Sequence, residues 1–197
     1  MELPIFPLNG AVLFPGTSLP LNIFEQRYLD MVNYSLARER FIGMIQTNDN
    51  DELYSIGCIG KIHSFNETND GRYLISLQGV NCFKVINELE PSFAFRLVDA
   101  EIVENYDDKN NFIENQKVNL LNKYKEYIKI KNINLSVQEI EGIEMVQLIK
   151  FIAMVSPFNN IDKQALLEAK SSVEFYNKLK SIIELEIAGN FQNNTLN

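Results

Sequence analysis

The chain has few side chains that could carry out covalent chemistry, and its one histidine is the first to consider. His63 lies in a strand-like run, and a hydrolase would need it as the base beside a serine or cysteine nucleophile. The sequence contains no Gly-X-Ser-X-Gly elbow, and a single histidine excludes the His-Glu-X-X-His zinc motif. We therefore interpret His63 as a surface or edge-strand residue, and keep a cryptic hydrolase around His63 as an alternative.

Two cysteines and one run of glycine and lysine are the remaining candidates for a reactive or ligand-binding site. Cys58 and Cys82 lie in apolar strand-like segments on either side of a turn, and we interpret both as small buried hydrophobic residues. Whether they are neighbours is left open. The run Gly57-Cys58-Ile59-Gly60-Lys61 has two residues between its glycines where a phosphate loop has four, and Ile62 replaces the required hydroxyl residue. The sequence therefore predicts no metal site and no cofactor.

Length and apolar content indicate a folded protein that stays in the cytoplasm. The chain has 197 residues, of which 46% are hydrophobic, enough for one large domain or two small ones. No segment approaches the ~20 apolar residues of a membrane helix. The first residues lack the basic and apolar regions of a secretory signal, so we expect cytoplasmic localisation.

The charge is acidic and unevenly distributed. The whole chain carries a net charge of -8. Residues 1–105 hold 7 basic and 14 acidic side chains, whereas residues 106–197 hold 11 and 12. Nucleic acids and anionic membranes bind clustered lysine and arginine, which release counterions from the phosphates. We therefore expect neither a nucleic acid nor a membrane as partner.

The spacing of apolar residues changes part-way along the chain, which predicts two lobes. Residues 1–104 read as short strands punctuated by glycine and proline, with one helix at about residues 25–39. Residues 105–111 are polar and turn-rich, as in a linker. Residues 112–189 show helical spacing, and 190–197 are expected to form a disordered tail. The predicted fold class is α+β, a β-barrel lobe followed by a helical bundle.

Capping residues mark the expected ends of the helices in the second lobe. Ser136 and Ser171 each precede a glutamate by three residues, which predicts two capping boxes. The helix that begins at Ser136 is expected to continue almost to Pro157. Asp162 is expected to cap a short helix, and Gly189 to end the last one.

Several blocks of the sequence share a pattern of apolar runs broken by proline or glycine. The most specific are Leu3-Pro4-Ile5-Phe6-Pro7-Leu8, Val12-Leu13-Phe14-Pro15-Gly16 and Leu19-Pro20-Leu21-Asn22-Ile23-Phe24-Glu25-Gln26-Arg27-Tyr28. Further blocks are Phe41–Met44, Ile56–Ile62, Asp70–Arg72, Leu77–Val85, Ser156-Pro157 and Lys163–Glu168. Together these blocks closely resemble the amino-terminal domain of Lon proteases over about residues 3–185. Cys82 departs from the family, which commonly has arginine there.

This resemblance implies a PUA-like β pseudo-barrel with one helix, followed by a C-terminal α-helical bundle. In Lon, this bacterial-type domain engages unfolded or tagged proteins, and ATPase and protease modules follow it. We expect a free-standing domain that lacks both modules, and therefore a non-catalytic protein- or peptide-binding module, an adaptor or holdase linked to proteolysis. The expected partners are unfolded or exposed polypeptide segments and a protease or chaperone. Because PUA-like barrels bind RNA in other families, an RNA-binding module is the alternative; the oligomeric state is left open.

The opening block also supplies the candidate binding residues. We predict that Phe14, Phe24 and Tyr28 contact a client as part of an apolar groove, with packing inside the barrel as the competing interpretation. The remaining motif residues are assigned structural roles: Pro7, Pro15, Gly16, Glu25, Arg27, Gly71 and Gly79. Among them, Glu25 and Arg27 are expected to pair at the start of the first helix, and Gly79 to kink its strand.

Overall fold

The computed structural model describes residues 1–48, 50–90, 92–104 and 112–194, with side chains up to residue 189. The predicted linker at 105–111 lies outside these residues. The chain divides into two compact units. The first comprises Met1–Asn105 and Pro157–Glu168, and the second comprises Tyr106–Ser156 and Ala169–Asn197.

Strands and helices follow the predicted order. The strands are β1 (Glu2–Pro7), β2 (Ser18–Ile23), β3 (Phe41–Ile45), β4 (Ile56–Glu67), β5 (Tyr73–Glu88) and β6 (Arg96–Val103). The helices are α1 (Gln26–Leu36), α2 (Glu114–Ile130), α3 (Val137–Ile140), α4 (Met145–Val155), α5 (Asn160–Leu167) and α6 (Ser172–Asn194). The predicted α+β class, with one helix among the strands and a helical second half, is therefore confirmed.

The sheet of the first unit closes on itself because β5 changes partner along its length. The strand order is β2-β5-β4-β3-β1-β6, and β6 also pairs with β5. The first part of β5 pairs with β2, up to Gln78, and the second part pairs with β6 from Cys82 onward. All pairs are antiparallel except β1 with β3. The closed sheet removes most of the exposed strand edges.

Gly79 occupies the point where β5 changes partner. Its N–H donates to the Thr17 carbonyl at 2.8 Å, and its carbonyl accepts from the Gly16 N–H at 2.9 Å. A Cβ atom at this position would lie 2.2 Å from the Phe14 carbonyl oxygen. The β4–β5 register shifts opposite this position, between Ile59 and Gly60, which is the irregularity expected of the strand.

The interior of the barrel is filled around the Phe83 ring. The core cluster consists of Leu3, Ile5, Ile45, Ile59, Phe83, Val98 and Ala100. A Cβ atom at Gly43 or Gly57 would approach this ring to 2.8 or 2.6 Å. The two glycines therefore leave the space that the aromatic side chain occupies.

Helix α1 buries the face that its spacing predicts. Tyr28, Met31, Val32 and Ser35 are buried. The helix ends at Leu36, three residues before the predicted end, and the backbone reverses at Arg40 with a φ of 67°.

Helix α5 belongs to the first unit, whereas the sequence-based division placed it in the helical lobe. Two buried polar side chains attach it to the barrel. The Lys163 ammonium donates to the Gly10 carbonyl at 2.6 Å, and the Gln164 amide donates to the Ile56 carbonyl at 3.0 Å. The Gln46 amide donates to the Gln164 side-chain oxygen at 3.1 Å. Such bonds join residues far apart in sequence and leave no periodic signal.

The second unit contains α2, α3, α4 and α6, and the predicted apolar stripes form its core. The buried residues include Leu120, Leu121, Tyr124, Tyr127, Ile128, Leu148, Ile149, Ile152, Tyr176, Leu179, Ile183 and Ile187. The Tyr124 hydroxyl and the Ser156 hydroxyl are hydrogen-bonded at 3.2 Å inside this core.

Three predicted helix boundaries in the second half of the chain are wrong. The helix expected from Ser136 is split into α3 and α4, with Gly142 between them. The hydroxyl of Ser136 donates to Gln138 instead of capping the helix. Asn159 caps α5, accepting from the Asp162 N–H at 2.8 Å, so Asp162 is a first-turn residue. Helix α6 continues through Gly189 to Asn194, inside the segment predicted as a tail.

Candidate functional site

The three predicted contact residues occupy different environments in the first unit. Phe14 is 1% exposed and Tyr28 is 8% exposed, so both pack inside the unit. Phe24 is 66% exposed, directly before the Glu25 N-cap of α1. Only Phe24 of the three presents an aromatic surface to solvent in this conformation.

The motif residues that were assigned structural roles shape turns and helix ends. Gly16 and Gly71 each have a φ of 81°, a conformation that favours glycine. Pro7 is the last residue of β1, and Pro15 precedes Gly16 in the turn closed by the Thr17 N–H bond to the Phe14 carbonyl. These residues shape the turns and the strand end at which they lie.

Glu25 and Arg27 form the expected ion pair at the start of α1. The Arg27 guanidinium lies 2.8 Å from the Glu25 carboxylate and stacks 4.5 Å above the Tyr28 ring. The Tyr28 ring also contacts Phe6, with ring centroids 4.3 Å apart. Burial raises the pKa of Tyr28 above its ordinary value.

A second group of rings lies beside the later turns of α1. Phe93 and Phe95 are stacked with centroids 5.0 Å apart, and Tyr34 meets both edge-on at 5.0 and 5.3 Å. Phe95 is buried, whereas Phe93 is 45% exposed. We call Tyr28, Tyr34, Phe93 and Phe95, together with Arg27, Arg38 and Arg96, the α1 surface.

The charged groups of the α1 surface are held in place by neighbours. The Arg38 guanidinium lies 3.5 Å above the Tyr34 ring. Arg96 contacts both carboxylate oxygens of Glu88 at 2.6 and 2.7 Å. The Tyr34 hydroxyl donates to the Glu2 carboxylate, and this hydrogen bond raises the pKa of Tyr34. Arg38 is thus engaged by an aromatic ring and Arg96 by a carboxylate.

Residues of the α1 surface line three depressions, two of which share Phe95 and Arg96. One of 280 Å³ contains Tyr28, Arg27, Phe95 and Arg96 in its lining. A second of 380 Å³ has Phe93 and Phe95 in its lining, and a third of 490 Å³ has Tyr34 and Arg38. Depressions lined by both aromatic rings and polar groups suit the alternating side chains of an extended peptide.

The structure also gives the position and surroundings of His63. His63 is exposed on β4, at a register shift between Ile62 and Ser64. Within the described ranges, no acidic or nucleophilic side chain hydrogen-bonds to His63. The same ranges contain no group of three metal-ligating side chains. No described helix is long and apolar enough to cross a membrane.

Comparison with known families identifies the fold. The family model of the ATP-dependent protease La (LON) substrate-binding domain matches residues 2–184. The chain belongs to this family. The resemblance predicted from the opening block and the later motifs is therefore confirmed over nearly the whole chain.

Relatives of this Lon domain are longer proteins. A Lon protease of Dictyoglomus thermophilum is 27% identical, in an alignment covering 99% of this chain and 26% of the relative. Lon protease 2 of Myxococcus xanthus is 26% identical, with 93% and 23% covered. The chain thus spans about a quarter of the length of these curated relatives.

Solved structures of Lon amino-terminal domains share the fold. A Lon N-terminal domain protein from Xanthomonas campestris superposes with a TM-score of 0.66 at 21% identity, covering 93% of this chain and 98% of that one. The N-terminal domain of a Mycobacterium avium complex Lon protease gives 0.70 at 14% identity, with the same coverage.

Sequence reasoning missed Tyr34, Phe93 and Phe95. Phe93 and Phe95 lie directly before β6, which begins at Arg96, and their rings stack there. Their i, i+2 spacing is a weak signal, because it also fits an alternating strand face. The contact of both rings with Tyr34, about 60 residues earlier in the chain, requires the tertiary structure.

Proposed function

We propose that this chain is a non-catalytic module that binds unfolded or exposed polypeptide segments through Phe24 and the α1 surface. The observation that carries the proposal is the exposed Phe93 ring, which lines one depression and stacks on Phe95, a residue that this depression shares with a second one. Membership of a family described as a substrate-binding domain supports the same role. The biological context that we propose is cytoplasmic, as an adaptor or holdase that serves a protease or chaperone.

Apolar burial supplies the affinity in this proposal. A Phe side chain that leaves water contributes about 1.5–3 kcal/mol, whereas the neighbouring arginines are already engaged with Glu25, Glu88 and the Tyr34 ring. We therefore expect a dissociation constant that is roughly micromolar and changes little with moderate salt. The acidic balance of residues 1–105 favours neutral or basic clients over acidic ones.

The test is a titration of a fluorescently labelled, permanently unfolded protein, read by anisotropy. Phe24→Ala and Phe93→Ala are each expected to weaken binding by about tenfold, since truncating an interface anchor costs about 1–2 kcal/mol. Ile102→Ala is the matched control. Ile102 is 53% exposed on β6, six residues beyond Arg96 and about 20 Å along the strand.

The outcomes separate the function from the site. Absence of binding by the wild type at high protein concentration would refute the function. Equal affinity of the wild type and both folded Phe variants would refute the site, and a loss in Ile102→Ala equal to theirs would make the effect nonspecific.

The two alternatives have their own readouts. An RNA-binding module would shift labelled RNA with a steep salt dependence, which the net charge of residues 1–105 disfavours. A hydrolase would lose turnover on His63→Ala. We expect no RNA shift at physiological salt, and neither ATP hydrolysis nor cleavage of unfolded protein by the purified chain.

A further inference from the structure

The pairing of β4 with β5 places the two cysteines directly opposite each other. Cys58 and Cys82 are register partners in this antiparallel pair. In antiparallel sheets, opposed residues alternate between hydrogen-bonded and non-hydrogen-bonded pairs. The Val85 N–H donates to the Ser55 carbonyl at 2.9 Å, which makes Ser55 and Val85 a hydrogen-bonded pair. Three positions further along, Cys58 and Cys82 are therefore a non-hydrogen-bonded pair.

The hydrogen bonds between β4 and β3 also indicate that Cys58 and Cys82 are a non-hydrogen-bonded pair. The Ile62 N–H donates to the Arg40 carbonyl at 2.8 Å, and Cys58 lies four positions away, opposite Met44. An even offset keeps the same hydrogen-bonding direction, so the backbone N–H and carbonyl of Cys58 face β3. They do not face Cys82.

This pair type brings the two side chains within bonding range. In non-hydrogen-bonded pairs the Cα atoms lie about 4.5 Å apart and both side chains stand on one face. Disulfides span Cα separations of about 4.4–6.8 Å. The pair can therefore be joined without rearranging the strands.

The two thiols differ in access and share a covered face of the sheet. Cys58 is fully buried and Cys82 is half-buried. The Cys82 Sγ lies 4.0 Å from the Leu167 carbonyl at the end of α5, and the Cys58 Sγ lies 3.7 Å from the Ile59 carbonyl. Cys82 is therefore the more accessible of the two residues, and its register partner Cys58 is closed to solvent.

We propose that Cys58 and Cys82 form a redox-modification site that takes a low-molecular-weight disulfide as co-substrate. The Cys82 thiolate attacks one sulfur of the small disulfide, which forms a mixed disulfide and releases one small thiolate. The Cys58 thiolate then attacks the Cys82 sulfur and expels the second small thiolate. The two cysteines are oxidised by two electrons, the small disulfide is reduced to two thiols, and the two cysteine protons pass through water to them.

The cross-link alters the surroundings of both strands. A bond between residues 58 and 82 links β4 to β5, the two strands joined by the turn that contains Gly71. This link restricts the conformations of the unfolded chain. It also removes the S–H donor near the Leu167 carbonyl at the end of α5. The oxidised protein is therefore expected to unfold at a higher temperature than the reduced protein.

The experiment incubates the native full chain with mixtures of reduced and oxidised glutathione, followed by acid quench and intact mass measurement. Wild type is expected to lose two hydrogens and to retain no glutathione. Cys58→Ser is expected to stop at one bound glutathione on Cys82. Cys82→Ser is expected to react at least about tenfold more slowly, because attack requires a solvent-accessible thiolate. Peptide mapping of oxidised wild type should locate the bond without relying on any variant.

Three results would overturn the proposal. They are wild type that stays fully reduced at high oxidised glutathione, wild type that stops at the mixed disulfide, and covalent dimers through Cys82. An unchanged or lower unfolding temperature for the oxidised chain would refute the predicted consequence of the cross-link.

Discussion

The absence of a side chain at Gly79 allows β5 to pass close to the backbone of Phe14. A Cβ atom there would lie 2.2 Å from the Phe14 carbonyl oxygen, which neighbouring backbone bonds hold in place. We expect Gly79→Ala to destabilise the first unit by about 3 kcal/mol or more, the range typical of steric conflict with a fixed backbone. Gly142→Ala is the matched control, because nothing lies within 4 Å of its Cβ position. Urea unfolding followed by circular dichroism compares the two, and equal midpoints would contradict the geometry.

The Glu88–Arg96 pair makes a small part of the stability dependent on pH. The two-pronged contact with Arg96 lowers the pKa of Glu88 below its ordinary value of 4.5. A carboxylate with a lowered pKa in the folded state contributes stability above the ordinary pKa, and that contribution is lost as the pH falls through the folded value. Because both side chains are partly exposed, Glu88→Gln should cost about 0.5–1 kcal/mol at pH 7.

The same substitution should cost less and less as the pH falls through the folded-state pKa of Glu88, because the wild-type carboxyl then takes up a proton. A double-mutant cycle with Arg96→Gln isolates the interaction, measured by urea unfolding at pH 7 and at acidic pH. A cost of Glu88→Gln that stayed constant between the two would show that packing, and not charge, is responsible.

At the scale of elements, two polar residues reverse the roles that their sequence suggests. Ser136 fits a capping box but makes no capping bond, whereas Asn159 accepts from the Asp162 N–H. Asn159→Ala should therefore lower stability by about 1 kcal/mol, the usual cost of a lost N-cap. Ser136→Ala should change it by no more than a few tenths. Thermal or urea unfolding of both variants provides the measurement, and a larger loss at Ser136 would favour the sequence motif over the structure.

Element type and buried faces followed from local sequence, whereas breaks and caps did not. Helical spacing places Tyr28, Met31 and Val32 on one side of α1, and this side is the buried one, because such spacing depends only on neighbouring residues. The division of the predicted helix at Gly142 could not be read in this way, since an isolated glycine is tolerated inside helices. The family resemblance predicted the closed sheet, but only the register showed that Cys58 faces Cys82.

The candidate site depended even more on tertiary structure. Three aromatic residues of the opening block were predicted as contacts, and composition could not distinguish the exposed Phe24 from the buried Phe14. The ring cluster of Tyr34 with Phe93 combines a helix with the segment before β6. Its members come together only when the barrel forms, so no local pattern could have identified it.

At the scale of the whole molecule, the first unit is built from two separate stretches of chain. Helix α5 belongs to the first unit although α2, α3 and α4 of the second unit precede it in the chain. The Lys163 and Gln164 side chains attach it to the barrel. Burial lowers the pKa of Lys163, and its ammonium group donates a hydrogen bond to the Gly10 carbonyl. A cut between the two stretches should therefore leave them bound to each other.

This arrangement can be tested by inserting a recognition sequence for a site-specific protease into the polar segment at 105–111. After complete cleavage, the two fragments should co-elute in gel filtration, because α5 lies in one fragment and its hydrogen-bond partners lie in the other. Gln164→Ala should lower the urea concentration at which the fragments separate. It removes the buried partner of the Ile56 carbonyl, at a cost of about 1–3 kcal/mol for that unsatisfied group, and one of the two acceptors of the Gln46 amide, which keeps the Asn160 carbonyl. Ile161→Ala, which truncates an exposed side chain of the same helix, should leave that concentration unchanged. Fragments that separate without denaturant would contradict the two-stretch unit, and equal effects of the two substitutions would contradict the role of Gln164.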